Sequence, residues 1–262
     1  MSRVSDIFAA QRPVLIPFVT GGFPSIESTA HALPALERAG AAIIEIGFPY
    51  TDPIADGPVI AQSMHQSLLK GVTPRAIFDV VRRTRSRVKS ALLAMVTDSI
   101  ITRMGPERFI REAAEAGFDG LIVPDIDLDA AIPLAGLARL HHLTFTLLVA
   151  PTTTEDRIQR IVELCSGFVY VLARVGITGE RSELDEHALE QRLTLIRRHT
   201  ALPLGVGFGI SDVQQVRRVA RVADGVIVGS ALVRRMEAAD DASAVAAAEG
   251  FLRDLAPGLK RA

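Results

Sequence analysis

"LPLGVGFGISDVQQVRRVARVADGVIVGSALV", residues 202–233, decides the fold. It opens on an apolar run that ends in the glycines Gly207 and Gly209. An amphipathic stretch follows from Ser211, and a second apolar run, 225–230, again ends in a glycine turn at Gly229. Neither run alternates strictly between apolar and polar residues, as expected of parallel strands covered on both faces. Two parallel strands need a crossover between them, and the amphipathic stretch supplies a helix for it.

The same unit repeats outward from this stretch. Further Val/Ile/Leu-rich runs occupy 14–19, 42–48, 91–96, 120–125, 145–150 and 168–173, which makes eight in all. Amphipathic segments with helix punctuation lie between them. One starts at Ser25, a suitable N-cap, and stops at Gly40; another ends at Gly117; a third opens at Thr154 and closes at Gly167. Strand then helix, eight times over, predicts an α/β fold: a single-domain (β/α)8 TIM barrel spanning residues 1–262. The first ten residues are expected to form an extra helix over its base, and 241–256 its last helix. The longest connections follow the second and sixth runs, and long βα loops lie at the catalytic end of such barrels.

Composition narrows the function. The 262 residues carry 29 Lys and Arg against 30 Asp and Glu, so a formal charge of −1 gives no electrostatic case for nucleic acid or an anionic membrane. The pairs Arg82-Arg83 and Arg217-Arg218 read as solvated helix faces. Cys165 is the only cysteine, which excludes an intrachain disulfide, fits a reducing cytoplasm and reads as a buried structural thiol. The first nineteen residues lack the apolar core of a signal peptide, and no run of 18 apolar residues exists to span a membrane. The six histidines show no metal-ligand spacing and read as surface residues, and no Walker loop, G-x-S-x-G or zinc motif occurs.

The chemistry-bearing residues begin in "IEIGFPYTDPIADGP", residues 44–58. Glu45 sits inside an apolar run. A buried, unpaired carboxylate is expensive, so Glu45 either meets a polar neighbour or is held protonated for use. Asp56 follows in a loop stiffened by Pro53 and Pro58, with Gly57 allowing a tight turn. Such an aspartate can simply bond its own backbone, but a rigid loop also fixes a catalytic group at little entropic cost. Two carboxylates in different environments make an acid/base pair. Asp52 and Asp125 read as orienting or loop-stabilising groups. At the other side, Gly207, Gly209, Gly229 and Ser230 end the last two runs, where barrels often hold phosphate; Gly179, in "GITGE", could close over it. The stretches GFGIS and GSALV contain no Lys or Arg, the first after the second being Arg234, so backbone donors must do most of the binding. Phe18, Tyr170 and Phe208 near run ends suit the walls of an apolar pocket.

Taken in order, these residues resemble the tryptophan synthase α subunit family. The carrying segments are Pro17–Thr20, Glu45–Pro58, Pro124-Asp125, Pro151–Thr153, Gly176–Gly179, Gly207–Ser211 and Gly229–Val233, spread over nearly the whole chain. The fourteen-residue carboxylate segment is the specific one; the glycine motifs are shared by many phosphate-binding barrels. The resemblance implies retro-aldol cleavage of indole-3-glycerol phosphate to indole and glyceraldehyde 3-phosphate. It assigns Glu45 to protonating indole C3 and Asp56 to the indole N–H. It places Phe18, Ile122, Tyr170 and Phe208 around the indole, and Gly179, Gly209, Gly229 and Ser230 around the phosphate. Thr178 falls in a loop expected to order on ligand binding. The resemblance further implies an α2β2 assembly with a pyridoxal-phosphate β subunit, and no cofactor in this chain. The chain departs from the family pattern at Phe23, at Tyr50-Thr51, at Gln62 and over Val96–Ile100. The rival readings are another phosphate-binding barrel, such as a sugar-phosphate isomerase or epimerase, and a non-catalytic subunit.

Overall fold

The computed structural model describes residues 2–53, 57–173, 185–207, 209–238 and 240–260. Nine strand segments form one parallel sheet: β1 (Val14–Thr20), β2 (Ile43–Gly47), β3 (Ala91–Met95), β4 (Gly120–Ile122), β5 (Thr144–Thr146), β6 (Leu148–Val149), β7 (Val169–Leu172), β8 (Leu204–Gly207) and β9 (Gly225–Val228). Their order is β5-β4-β3-β2-β1-β9-β8-β7-β6. The two ends of that order, β5 and β6, are consecutive pieces of one run. The chain itself therefore joins them at Leu147, and the sheet curls into a barrel. Seven of the eight expected runs each give one strand. The run at 145–150 gives two, because Thr144–Thr146 pairs with β4 while Leu148–Val149 pairs with β7.

Twelve helices among the described residues surround the sheet: α1 (Arg3–Ala10), α2 (Ile26–Arg38), α3 (Pro58–Leu69), α4 (Pro74–Thr84), α5 (Asp98–Met104), α6 (Pro106–Ala116), α7 (Leu128–Leu140), α8 (Glu155–Leu164), α9 (Glu186–Arg197), α10 (Val213–Val222), α11 (Ser230–Arg235) and α12 (Asp241–Leu255). The expectation of one helix per strand is too simple. The crossovers after β2 and β3 each carry two, and two helices follow the last strand, β9. Punctuation is mostly as read: Ser25 caps α2 by accepting from the Ser28 amide, and Gly117 ends α6 in a left-handed conformation at φ 98°. Two ends differ. The cap of α10 is Asp212, not Ser211, because its carboxylate accepts from the Gln214 and Gln215 amides. α8 stops at Leu164, short of Gly167, because the next residue, Cys165, is extended.

Alternation along each strand sends every second side chain into the barrel. Val14, Ile16, Ile43, Ala91, Leu93, Ile122, Phe168, Tyr170 and Ile227 form this inner cluster. Val4 and Phe8 of α1 belong to the same cluster, and the Phe8 and Phe168 rings lie 5.8 Å apart. The extra helix thus plugs the N-terminal end of the barrel, leaving the C-terminal end for a site. The outer faces of the strands pack on the helices in a second, larger cluster. No helix among the described residues is long and apolar enough to cross a membrane.

Candidate active site

Glu45 lies in the middle of β2 and shares its inward face with Ile43. Strand register sets it level with Phe18 on β1 and Leu93 on β3. It is fully buried, and neither carboxylate oxygen has a hydrogen-bond partner among the described residues. Burial alone therefore pushes its pKa well above the ordinary 4.5, favouring the neutral acid. Leu93, Ile43 and Phe18 around it offer no charge to oppose that shift. The polar neighbour that would have made Glu45 a structural residue is absent among the described residues.

Glycines make room for the aromatic candidates Phe18 and Tyr170. A Cβ on Gly47 would meet the Phe18 ring at 2.5 Å. One on Gly207 would meet the Tyr170 hydroxyl oxygen at 2.8 Å. Both distances are below any real Cβ contact, so these strand ends must be glycine for the rings to fold inward. Ile122 points inward from β4, paired with Met95 and Thr146. Gly229 borders the same space, since a Cβ there would touch Phe18 Cβ at 3.8 Å. Gly229 caps α11, Ser230 is that helix's buried first residue, and Gly209 stands at φ 62°, a conformation glycine alone adopts cheaply. Phe18 and Glu45 are thus level on adjacent strands, Ile122 and Tyr170 belong to the inner cluster, and Gly229 and Gly207 lie against Phe18 and Tyr170. Asp56, Thr178, Gly179 and Phe208 lie outside the described residues.

Sequence reasoning missed three residues here. Met95, Leu148 and Leu172 are half-buried, and all pack against the inner cluster near the C-terminal ends of their strands. A partly exposed apolar side chain at a barrel mouth is available to a ring-shaped ligand. Counting in twos from Glu45 through the strand register would have found Met95; in sequence it is one more apolar residue. Of the remaining carboxylates, Asp52 is exposed, and Asp125 accepts from the Asp98 amide at 2.9 Å, tying the β4 exit to the start of α5. Cys165 is buried, takes a hydrogen bond from the Leu147 amide and has its pKa pushed up to about 12. That makes it inert. Among the described residues no cluster could hold a metal ion. A cleft of about 550 Å3 opens elsewhere, between α5, the start of α6 and α7, lined by Asp98, Ile101, Arg108 and Leu134 among others.

Residues 4–257 match the family model for the tryptophan synthase alpha chain. The chain belongs to that family. The alpha chain of Chloroflexus aggregans is 42% identical, with 100% of this chain and 99% of the relative covered. That of Halorhodospira halophila is also 42% identical, covering 100% and 96%. Among solved structures, tryptophan synthase of Mycobacterium tuberculosis superposes with a TM-score of 0.90 at 32% identity, covering 100% and 99%. The alpha subunit of Legionella pneumophila gives 0.89 at 29%, covering 99% and 98%. As a tryptophan synthase alpha chain, the protein is a carbon–carbon lyase of tryptophan biosynthesis, cleaving indole-3-glycerol phosphate to indole and glyceraldehyde 3-phosphate.

Proposed function

We propose that Glu45 and Asp56 carry this cleavage at the mouth of the barrel. The supporting observation is a fully buried acid on the inward face of β2, with neither oxygen partnered among the described residues. Breaking the bond at indole C3 requires that carbon to be protonated first. The neutral Glu45 acid supplies the proton, and positive charge develops on the indole nitrogen. Asp56 accepts a hydrogen bond from that N–H and stabilises the charge. Glu45, now a carboxylate, takes the proton of the glycerol hydroxyl next to the bond. The carbonyl of glyceraldehyde 3-phosphate forms, the C–C electron pair returns to the ring, and Glu45 is reset. The acid thus gives one proton and recovers one.

Phe18, Ile122, Tyr170 and Phe208 wall the indole in this reading, with Met95 and Leu148 beside them. Gly179, Gly209, Gly229 and Ser230 hold the phosphate, mainly through backbone amides, and Thr178 belongs to the loop that orders over the ligand. The chain works as one domain and in the cytoplasm. It needs no cofactor of its own; pyridoxal phosphate belongs to a β subunit, with which it forms an α2β2 complex. The test is direct. The pure chain is incubated with indole-3-glycerol phosphate, with and without a β subunit, and indole release is followed. Release by the wild type but not by Glu45→Gln is the expected result. Equal release by both would remove Glu45 from the mechanism.

A further inference from the structure

The turn at residues 150–153, just past β6, is not used by the chemistry above. β6 is only two residues long and stands at the end of the sheet order, so among the described strands its backbone pairs with β7 alone. In that pairing Leu148 is the register partner of Tyr170, and Leu148 is half-buried against the inner cluster that contains Tyr170. Beyond Val149 the chain closes a turn on itself. The Thr153 amide donates to the Ala150 carbonyl at 3.0 Å, and the Ala150 amide donates to Thr153 Oγ1 at 3.0 Å. Pro151, inside the turn, has no amide proton to give. α8 follows at once, and its N-cap, Thr154, makes no side-chain capping bond among the described residues.

Arg192 of α9 fastens this turn from outside. Its Nη2 donates to the Ala150 carbonyl and to the Thr153 carbonyl, each at 2.6 Å, across 42 and 39 residues of sequence. Nη2 carries two protons, and both are committed here. Hydrogen bonds from a guanidinium are charge-assisted, and its planar fork fixes their direction. Ala150 is two residues from Leu148, so the bonds act directly on the end of the short strand. We propose that Arg192 is a positioning residue for the indole end of the site: it fastens the exit of β6 and so holds Leu148 beside Tyr170 as a wall for the ring. Arg192 touches no reacting atom; it acts through Leu148. The inference rests on the reading of Leu148 given above.

The experiment is calorimetric titration with two probes. One is 3-(indol-3-yl)propyl phosphate, the substrate without its two hydroxyls, which has no proton to lose next to the scissile bond and is not cleaved. The other is glycerol phosphate, which has no ring. The proteins are the wild type, Arg192→Met, Leu148→Ala and the double variant Leu148→Ala/Arg192→Met. Arg192→Met keeps an unbranched stem and removes the two donors. It is expected to weaken the indole probe about 5- to 20-fold, the scale of one apolar wall contact partly lost, and to leave glycerol phosphate within about 2-fold. A merely structural role would weaken both probes alike. On the Leu148→Ala background, Arg192→Met should weaken the indole probe by under about 2-fold more, because the side chain it positions is already gone. Unchanged affinity for the indole probe in Arg192→Met, equal loss of both probes, or losses that multiply in the double variant overturn the inference. Should Arg192→Met lack a cooperative thermal transition, Thr153→Val, which loosens the same turn by removing the acceptor of the Ala150 amide, decides by the same criteria. Wild-type affinity for the indole probe in Leu148→Ala would sink the reading of Leu148 and this inference with it. Loss in Leu148→Ala without loss in Arg192→Met sinks the inference alone.

Discussion

Glu45 carries the argument at the scale of single residues, because its environment dictates its protonation. Glu45→Gln keeps shape and polarity but cannot exchange a proton. Cleavage should fall about 100- to 10,000-fold, the usual contribution of an acid/base group, while glycerol phosphate still binds. Calorimetric titration with glycerol phosphate checks the second half. Stability should shift with pH in a defined direction. Burial raises the folded pKa above 4.5, so above that pH the unfolded chain releases a proton the folded chain retains. The wild type should therefore lose about 1.4 kcal/mol per pH unit relative to Glu45→Gln, from about 4.5 up to the folded pKa. Urea unfolding of both proteins between pH 5 and 7, in steps of about one unit, measures this, and parallel curves would contradict it. Glu45 was legible in the sequence because a charge inside an apolar run breaks a pattern. Met95 and Leu148 were not, because an apolar residue in such a run reads as core until register shows which way it faces.

Among the elements, two matching latches close the base of the barrel. Asp119 precedes β4, and its Oδ2 accepts from the Leu92 amide at 2.8 Å and from Arg85, just after α4, at 3.2 Å. Asp224 precedes β9, and its Oδ2 accepts from the Leu204 amide at 2.9 Å and from Arg197, the last residue of α9, at 2.8 Å. Arg3 and Arg12 at opposite ends of α1 lie 3.6 and 3.7 Å from the same two aspartates, so the plug is held at both sides. Each aspartate leads into an Asp-Gly and an aliphatic strand, 119–123 and 224–228, the one trace of this repeat in the sequence. Strands and caps were readable because periodicity and capping are local. The latches were not, because each joins residues 20 or more apart. Asp224→Ala leaves the buried Leu204 amide without its acceptor and Arg197 with only the Val222 carbonyl. It should cost about 2–4 kcal/mol in urea unfolding, whereas Arg12→Ala, whose side chain is 43% exposed, should cost under about 1 kcal/mol. Equal losses would mean that the aspartate acts only through surface charge.

The molecule as a whole depends on closure at one point. The sheet becomes a barrel because the run at 144–149 pairs with β4 through its first half and with β7 through its second. The sequence could not show this, since six consecutive β-formers look like one strand and only the curvature of the finished barrel divides them. At the division, the Leu147 amide donates to Cys165 Sγ at 3.3 Å and the Leu147 carbonyl accepts from the Tyr170 amide at 3.2 Å. The only thiol therefore sits at the seam. It is buried and its pKa is pushed up to about 12, so a thiol reagent meets almost no thiolate while the seam holds. Barrel closure involves every strand, and opening the seam should require opening the whole sheet rather than one loop. Cys165 labelling in increasing urea should then rise with the same slope as global unfolding followed by circular dichroism. Glycerol phosphate should slow labelling by as much as it stabilises the fold, although it binds at the mouth. A labelling rate nearly independent of urea would show that the seam opens locally, and the closure at Leu147 would not be part of the cooperative fold.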